Sequence, residues 1–366
     1  MIMNKQVRKR GNGWGSSKGA TWRASDLLVI SLALLLTSSL FGQDMIRVGT
    51  SITLGTGTTA AQLQTVLDSL SSTGGVVRLS AERIGGNFTI PSNVRIEGAG
   101  SNTVISSATG ASPVLTISGT GDIIEDLDVD GAGSGTSDIG ILVTGNGNVI
   151  RNVGCNWFGE ECLRWASGQK LQVQNLFAMN TAMAHVMDTT GKHCAVLFGG
   201  VDGTISDSEV GTSIQSWGFN PSLIRDALCV TGSNNFVYGN QFETSDDGLY
   251  VSGYYNKFWG NRADTNGANG FWDVGVGNLF TGNHSLNNSL ASDGTYSGFL
   301  LDGNGAVVSG NLDSYEGGIC LKSSGPCREH YSFYTPNPSK SVPGTLTGNA
   351  NHASKGAIPL LGGLAQ

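Results

Sequence analysis

Apolar residues recur along this chain in short β-branched or aromatic runs, each closed by Asn or Asp. The runs read NVIRN at 148–152, LQVQN at 171–175, GTISD at 203–207, NFVYGN at 235–240, NKFWGN at 256–261, NLFTGN at 278–283 and AVVSGN at 306–311. The closing positions are Asn152, Asn175, Asp207, Asn240, Asn261, Asn283 and Asn311, with Asp126 as an earlier member; neighbours are 23, 32, 33, 21, 22 and 28 residues apart. A base period near 22 that sometimes enlarges by about ten is the pattern of a solenoid with insertions at one place. A second column of apolar anchors precedes the first by 11 or 12 residues: Ile141, Leu163, Val196, Leu228, Leu249, Phe271 and Phe299, then Ile319. The step from each Asn to the next anchor varies from 8 to 21 residues. One half of every coil is therefore fixed and the other absorbs the insertions. This predicts an all-β chain wound as a right-handed parallel β-helix of about ten coils, with strands stacked about 4.8 Å apart. Asn suits the fixed corner because it tolerates the left-handed backbone conformation and its amides stack in a ladder.

Thr58 and Thr59 offer helix caps, and Leu63, Val66, Leu67 and Leu70 share one face, so an amphipathic helix is expected to cover the open end of the solenoid. Gly is 55 of 366 residues, Pro only 8, and charged residues 13%: rich in turns, yet apolar enough for a core. Three segments follow. Residues 1–42 carry Lys5, Arg8, Lys9, Arg10, Lys18 and Arg23, then the apolar stretch 27–41, and read as a signal peptide or a retained N-terminal anchor. Residues 43–327 form the β-helix with its cap, and 328–366 a poorly ordered C-terminal tail or cap with a last strand near Thr345–Asn349.

Removing residues 1–42 leaves 15 Lys+Arg and 27 Asp+Glu, a formal charge of −12, which argues against a nucleic-acid partner. The expectation is an exported monomer, whether periplasmic, extracellular or on the cell surface. All six cysteines lie beyond the leader. Cys155 with Cys162 and Cys320 with Cys327 would close loops of equal spacing, leaving Cys194 with Cys229; free buried thiols are the alternative. There is no CxxC and no paired His, so a zinc site is not expected.

Aligning the coils on their anchors shows where chemistry concentrates. Three residues before the anchors stand Asp138, Glu160, His193, Arg225, Asp246, Ala268, Tyr296 and Glu316; two before stand Ile139, Glu161, Cys194, Asp226, Asp247, Asn269, Ser297 and Gly317. In so weakly charged a chain, Glu160, Glu161, His193, Arg225, Asp226, Asp246 and Asp247 form one band across four rungs. The long connections 176–193, 208–225 and 284–296 enter the same band with Lys192 and Trp217, as groove walls would. Taken singly, each acid is ordinary turn chemistry before a strand; the cluster is what points to a site. One residue after the anchors, Tyr250 and Trp272 fall side by side on the outer face, placed either to stack on sugar rings or to pack beneath a loop.

The stretch TTAAQLQTVLDSLSSTGGVVRLSAERIGGNFTIPSNVRIEGAGSNTVI resembles the start of pectate lyase superfamily members, with a capping helix, Gly-Gly, a first strand and an IPSNVRIEGAG passage into the solenoid. The later coils are similar to parallel β-helix repeats of the pectin-lyase-like superfamily. The resemblance implies that fold over nearly all of the exported chain, and a polysaccharide as substrate or ligand. It implies two chemistries. In the polygalacturonase type, Arg225-Asp226 followed by Asp246-Asp247 resembles the first two acid motifs; Ala268-Asn269-Gly270 stands where G-H-G belongs, and no R-I-K follows. Hydrolysis would then use Asp226, Asp246 and Asp247 as acid and base. His193 would stand in for the missing histidine, Arg164 and Arg225 would bind substrate with Lys192, Trp217, Tyr250 and Trp272, and no cofactor would be needed. In the pectate-lyase type, Glu160, Glu161, Asp226 and Asp247 would hold Ca²⁺ and Arg164 would act as base, although the R-x-P-x-x-R segment is missing. A third possibility is a surface module that binds glycan without cleaving it.

Overall fold

The computed structural model describes residues 49–107, 113–131, 139–179, 193–212, 225–291, 296–314, 333–334, 345–347 and 350–351. The leader 1–42, Lys192, Trp217, Cys320 and Cys327 lie outside the described residues, and of Arg225 only the backbone is described. Among the described residues, strands build one sheet of ten strands and one of twenty, and every pairing between named strands is parallel. In each regular coil one strand joins the smaller sheet and two join the larger. The coil anchored by Leu249 shows the order: Leu249–Val251, a first turn, Lys257–Trp259, a second turn at Gly260-Asn261, Arg262–Asp264, and a third turn leading to Phe271–Asp273. This is a parallel β-helix.

The apolar anchors stack in register. Ile141, Leu163, Val196, Leu228, Leu249, Phe271 and Phe299 occupy successive rungs of the ten-stranded sheet. All are fully buried, and so are the inward residues two positions later as far as Val251. The rung after Phe299 is Phe333 rather than the expected Ile319, which lies outside the described residues. Ring stacking continues the column: Phe271, Phe299 and Phe333 lie 4.6 and 4.7 Å apart between centroids, their planes within 11°. Each such side chain contributes about 1.5–3 kcal/mol by leaving water. Trp165 fills the interior at one rung, and Gly200 makes room for it; a Cβ there would sit 2.1 Å from the indole ring.

The N-terminal helix forms as expected over Ala60–Ser69. Thr59 caps it in a reciprocal capping box with Gln62, and Leu63 and Leu67 enter the core fully buried. Beyond residue 327, Phe333–Tyr334, Thr345–Thr347 and Ala350–Asn351 extend the two sheets.

The Asn column in the sequence resolves into two adjacent columns at the second turn. Asp126, Asn152, Asn175 and Asp207 hold the left-handed position (φ 52 to 55), which passes to Gly239, Gly260, Gly282 and Gly310 in later coils. The later Asn residues stand one place further on and point inward. Their ladder runs from Ser208 through Asn240, Asn261 and Asn283 to Asn311, each backbone N–H donating to the Oδ1 of the next at 2.8–3.1 Å. A second ladder at the first turn joins Asn235, Asn256 and Asn278; a third, at the third turn, joins Ser245, Asn266 and Asn288. The two-residue turn needs one residue at positive φ and one buried acceptor, and Asn serves either need, which is why one letter covered both columns.

Candidate functional site

The band of charge begins at the third turn and runs into the ten-stranded sheet. Its backbone is strained on two successive coils: Thr244 and Thr265 hold φ of 51° and 60°, a region β-branched side chains avoid. Ser245, Asp246 and Asp247 follow Thr244 directly. Such strain persists where the surroundings over-determine it, and it clusters at functional sites.

Asp226 and Asp247 are joined by a fourth polar ladder of opposite polarity to the Asn ladders. The Asp247 N–H donates to Asp226 Oδ1 (3.3 Å), the Asn269 N–H and Nδ2 both donate to Asp247 Oδ1 (2.9 Å each), and the Ser297 N–H donates to Asn269 Oδ1 (2.9 Å). Asp226, Asp246 and Asp247 are 0%, 4% and 2% exposed, so these acids lie beneath the surface of the corner rather than projecting from it. The disulfide Cys194–Cys229 covers Asp226, whose Oδ2 lies 3.7 Å from Cys229 Sγ. Cys194, Asp226 and Cys229 also have the spacing of a metal site, but both sulfurs are spent in the disulfide. Cys155–Cys162 is bonded as well.

Tyr296 completes the corner. It stands on the coil of Phe299, half-buried, and burial raises its phenol pKa, with Asp247 and Asp246 raising it further. The phenol therefore keeps its proton, two rungs along from Asp246 and Asp247. Tyr296 occupies the same column as Asp246, but a neutral phenol adds nothing to a band defined by charge. Its column position was the only signal of it in the sequence.

The other candidates are placed as follows. Glu160 and Glu161 do not stand open: the Arg164 guanidinium spans them, Nη2 at 2.5 Å from Glu160 Oε2 and 2.6 Å from Glu161 Oε2. Burial raises the Glu161 pKa, and the paired Arg164 opposes it. Burial acts to lower the Arg164 pKa, but the two glutamates outweigh it and the net shift is upward. An arginine held in this way is a poor base, and its charge competes with any cation for the same oxygens. Asp226 and Asp247 each commit one oxygen, Oδ1, to their ladder. His193 starts the strand beside Arg225, in register with it, and is half-buried. Tyr250 and Trp272 are adjacent on the outer face as expected, half-buried and edge to face, with centroids 5.3 Å apart and planes at 75°.

No family model matches the chain, and no curated protein does. Solved structures do. Tailspike protein 2 of an Escherichia coli O157:H7 bacteriophage aligns with a TM-score of 0.56 and 15% identity, covering 75% of this chain and 38% of that one. The A-module of the Azotobacter vinelandii mannuronan C-5 epimerase AlgE4 aligns at 0.53 and 14% identity, covering 80% and 91%. ORF18 of Geobacillus virus E2 aligns at 0.52 and 14% identity, covering 93% of this chain and 65% of its own length. The chain thus spans less than two thirds of both phage proteins. Identity at this level speaks to architecture, and the shared architecture is the right-handed parallel β-helix.

Proposed function

We propose that the protein acts on a polysaccharide, and that the third-turn corner of the coils anchored by Leu228, Leu249 and Phe299 is its reacting site, hydrolysing a glycosidic bond. The observation that carries this reading is the set Asp246, Asp247 and Tyr296 at one corner: two buried acids within two rungs of a phenol that burial and their charge keep protonated. Hydrolysis needs a proton donor at the leaving oxygen and a base for water. Tyr296 or one acid would supply the proton; Asp247, oriented by Asn269, would accept one from water. Elimination needs instead a group that takes a proton from carbon, and a raised phenol and a doubly paired Arg164 both serve that poorly. The half-buried Tyr250–Trp272 pair on the adjoining sheet face supports a sugar ligand. The mannuronan epimerase and tailspikes that share the fold support the ligand class, and the disulfides support an exported setting.

Burial of all three aspartates favours a second reading, a module that binds glycan and leaves it intact, with the acids serving as ladder rungs. Incubation with linear acidic and neutral polysaccharides separates the readings. New reducing ends without ultraviolet-absorbing unsaturated ends, undiminished by a chelator, are expected. Unsaturated ends would indicate elimination, and tight binding with no new ends the module.

A further inference from the structure

A second feature lies on the other side of the coil, on the twenty-stranded sheet and its first turn. Tyr254, Tyr255 and Trp259 are 52%, 61% and 58% exposed. Trp259 is in register with Tyr238, and Phe236 lies near-parallel to Trp259 (11°) with ring centroids 6.4 Å apart. Phe236 and Tyr238 are 4.7 Å apart. So dense a group of open aromatic rings is unusual on a solvated surface.

Tyr255 is held there against its own backbone preference. It takes φ 56, the left-handed position that Gly277 and Gly305 fill on the next two coils. A bulky residue in this region is an outlier, and glycine would be the stable choice. Its ring lies over Gly277, where a Cβ would meet Tyr255 Cδ1 and Cε1 at 2.7 Å. Stability is therefore forgone to present an aromatic ring, and the neighbouring glycine leaves room for it. Lys257 stands in register with Phe236, exposed, with no ion pair to any described residue.

We infer that this face is a binding platform for an extended anionic polysaccharide, separate from the acidic corner. Flat rings suit the apolar faces of pyranoses, and successive rungs about 4.8 Å apart approach the length of one sugar unit. Lys257 complements a carboxylate on the glycan.

The test is affinity electrophoresis in gels containing polygalacturonate, alginate or neutral dextran, run on the Asp247→Asn protein so that turnover cannot interfere. Retardation by at least one acidic glycan is expected. Trp259→Ala and Tyr255→Gly should each weaken it roughly tenfold. Lys257→Gln should weaken it and flatten its salt dependence. Tyr255→Gly should also raise the melting temperature, a gain that a purely structural tyrosine would not give. Absence of retardation in both acidic glycans, or unchanged retardation in both aromatic variants, overturns the inference. So does an oligomer, seen by analytical ultracentrifugation, that Trp259→Ala dissociates, since the face would then be a contact between copies. Cleavage by proteins carrying the platform variants on the wild-type background should persist, so failure here and failure of the proposed hydrolysis are distinguishable.

Discussion

Replacing Asn261 with Ala removes a side chain that is 1% exposed and serves two coils at once. Its Oδ1 accepts from the Asn240 N–H (3.1 Å) and Nδ2 (3.0 Å); its Nδ2 donates to the Val237 carbonyl (2.9 Å) and to Asn283 Oδ1 (2.9 Å). The losses are unequal. Asn240 Nδ2 keeps the Ile205 carbonyl, and Asn283 Oδ1 keeps the backbone N–H of position 261. The Asn240 N–H loses its partner inside the structure, at about 1–3 kcal/mol, and the other bonds are worth about 0.5–1.5 kcal/mol each. A loss of about 3–5 kcal/mol is expected. Asn261→Ser should recover part of it, because Ser208 and Ser245 fill equivalent places, their Oγ accepting from the Leu176 and Thr212 N–H at 3.0 Å. Urea unfolding followed by circular dichroism and tryptophan fluorescence measures both, provided the slope is unchanged. A cost below about 1 kcal/mol for Ala, or a Ser variant no better than Ala, would refute the ladder as a source of stability.

Burial raises the Asp122 pKa from 3.8 to about 7, and that of Asp273 from 3.8 to about 6. The folded state therefore holds these protons more tightly than the unfolded state. The contribution of these two groups to stability is greatest below about pH 4 and is lost as pH rises through about 6 and about 7, by up to about 4 kcal/mol for Asp122. Asp122→Asn should remove most of that fall, bringing position 122 into line with Asn148 on the next rung; a variant whose pH profile matches wild type would contradict the assignment. Replacing Cys194 and Cys229 together with Ala opens a loop of 35 residues and should cost about 4 kcal/mol, against about 2.5 kcal/mol for Cys155 and Cys162, which are 7 apart. Thermal melts of the two double variants should rank in that order.

The fold was legible because its cause is periodic. A buried anchor and a turn residue return at a fixed interval, and the anchors from Ile141 to Phe299 stack as that interval requires. The helix was legible for a local reason, the Thr59–Gln62 capping box ahead of Leu63 and Leu67. What the sequence hid was depth. Asp226 and Asp247 carry the same letters as surface turn acids, yet a neighbouring coil supplies the donors that bury them. Spacing could not reveal that Arg164 would bridge Glu160 and Glu161, because that depends on side-chain direction at a turn. Nor did it separate the left-handed column from the ladder column, which differ by a single position. The aromatic platform is hidden in the sequence because Tyr238 and Trp259 fall within the runs that define the repeat, where an aromatic residue is an ordinary strand former, and Tyr255 stands just before one.

The proposed hydrolysis places bond cleavage at the corner of Asp246, Asp247 and Tyr296. Asp247→Asn tests it most directly, since Asn keeps an Oδ1 to accept from the Asn269 N–H while losing the carboxylate. On a polysaccharide that the wild type cleaves, the release of reducing ends should fall by at least about a hundredfold, with the melting temperature within a few degrees of wild type. Full release of reducing ends by a folded Asp247→Asn protein would contradict the claim and place the chemistry elsewhere on the coil.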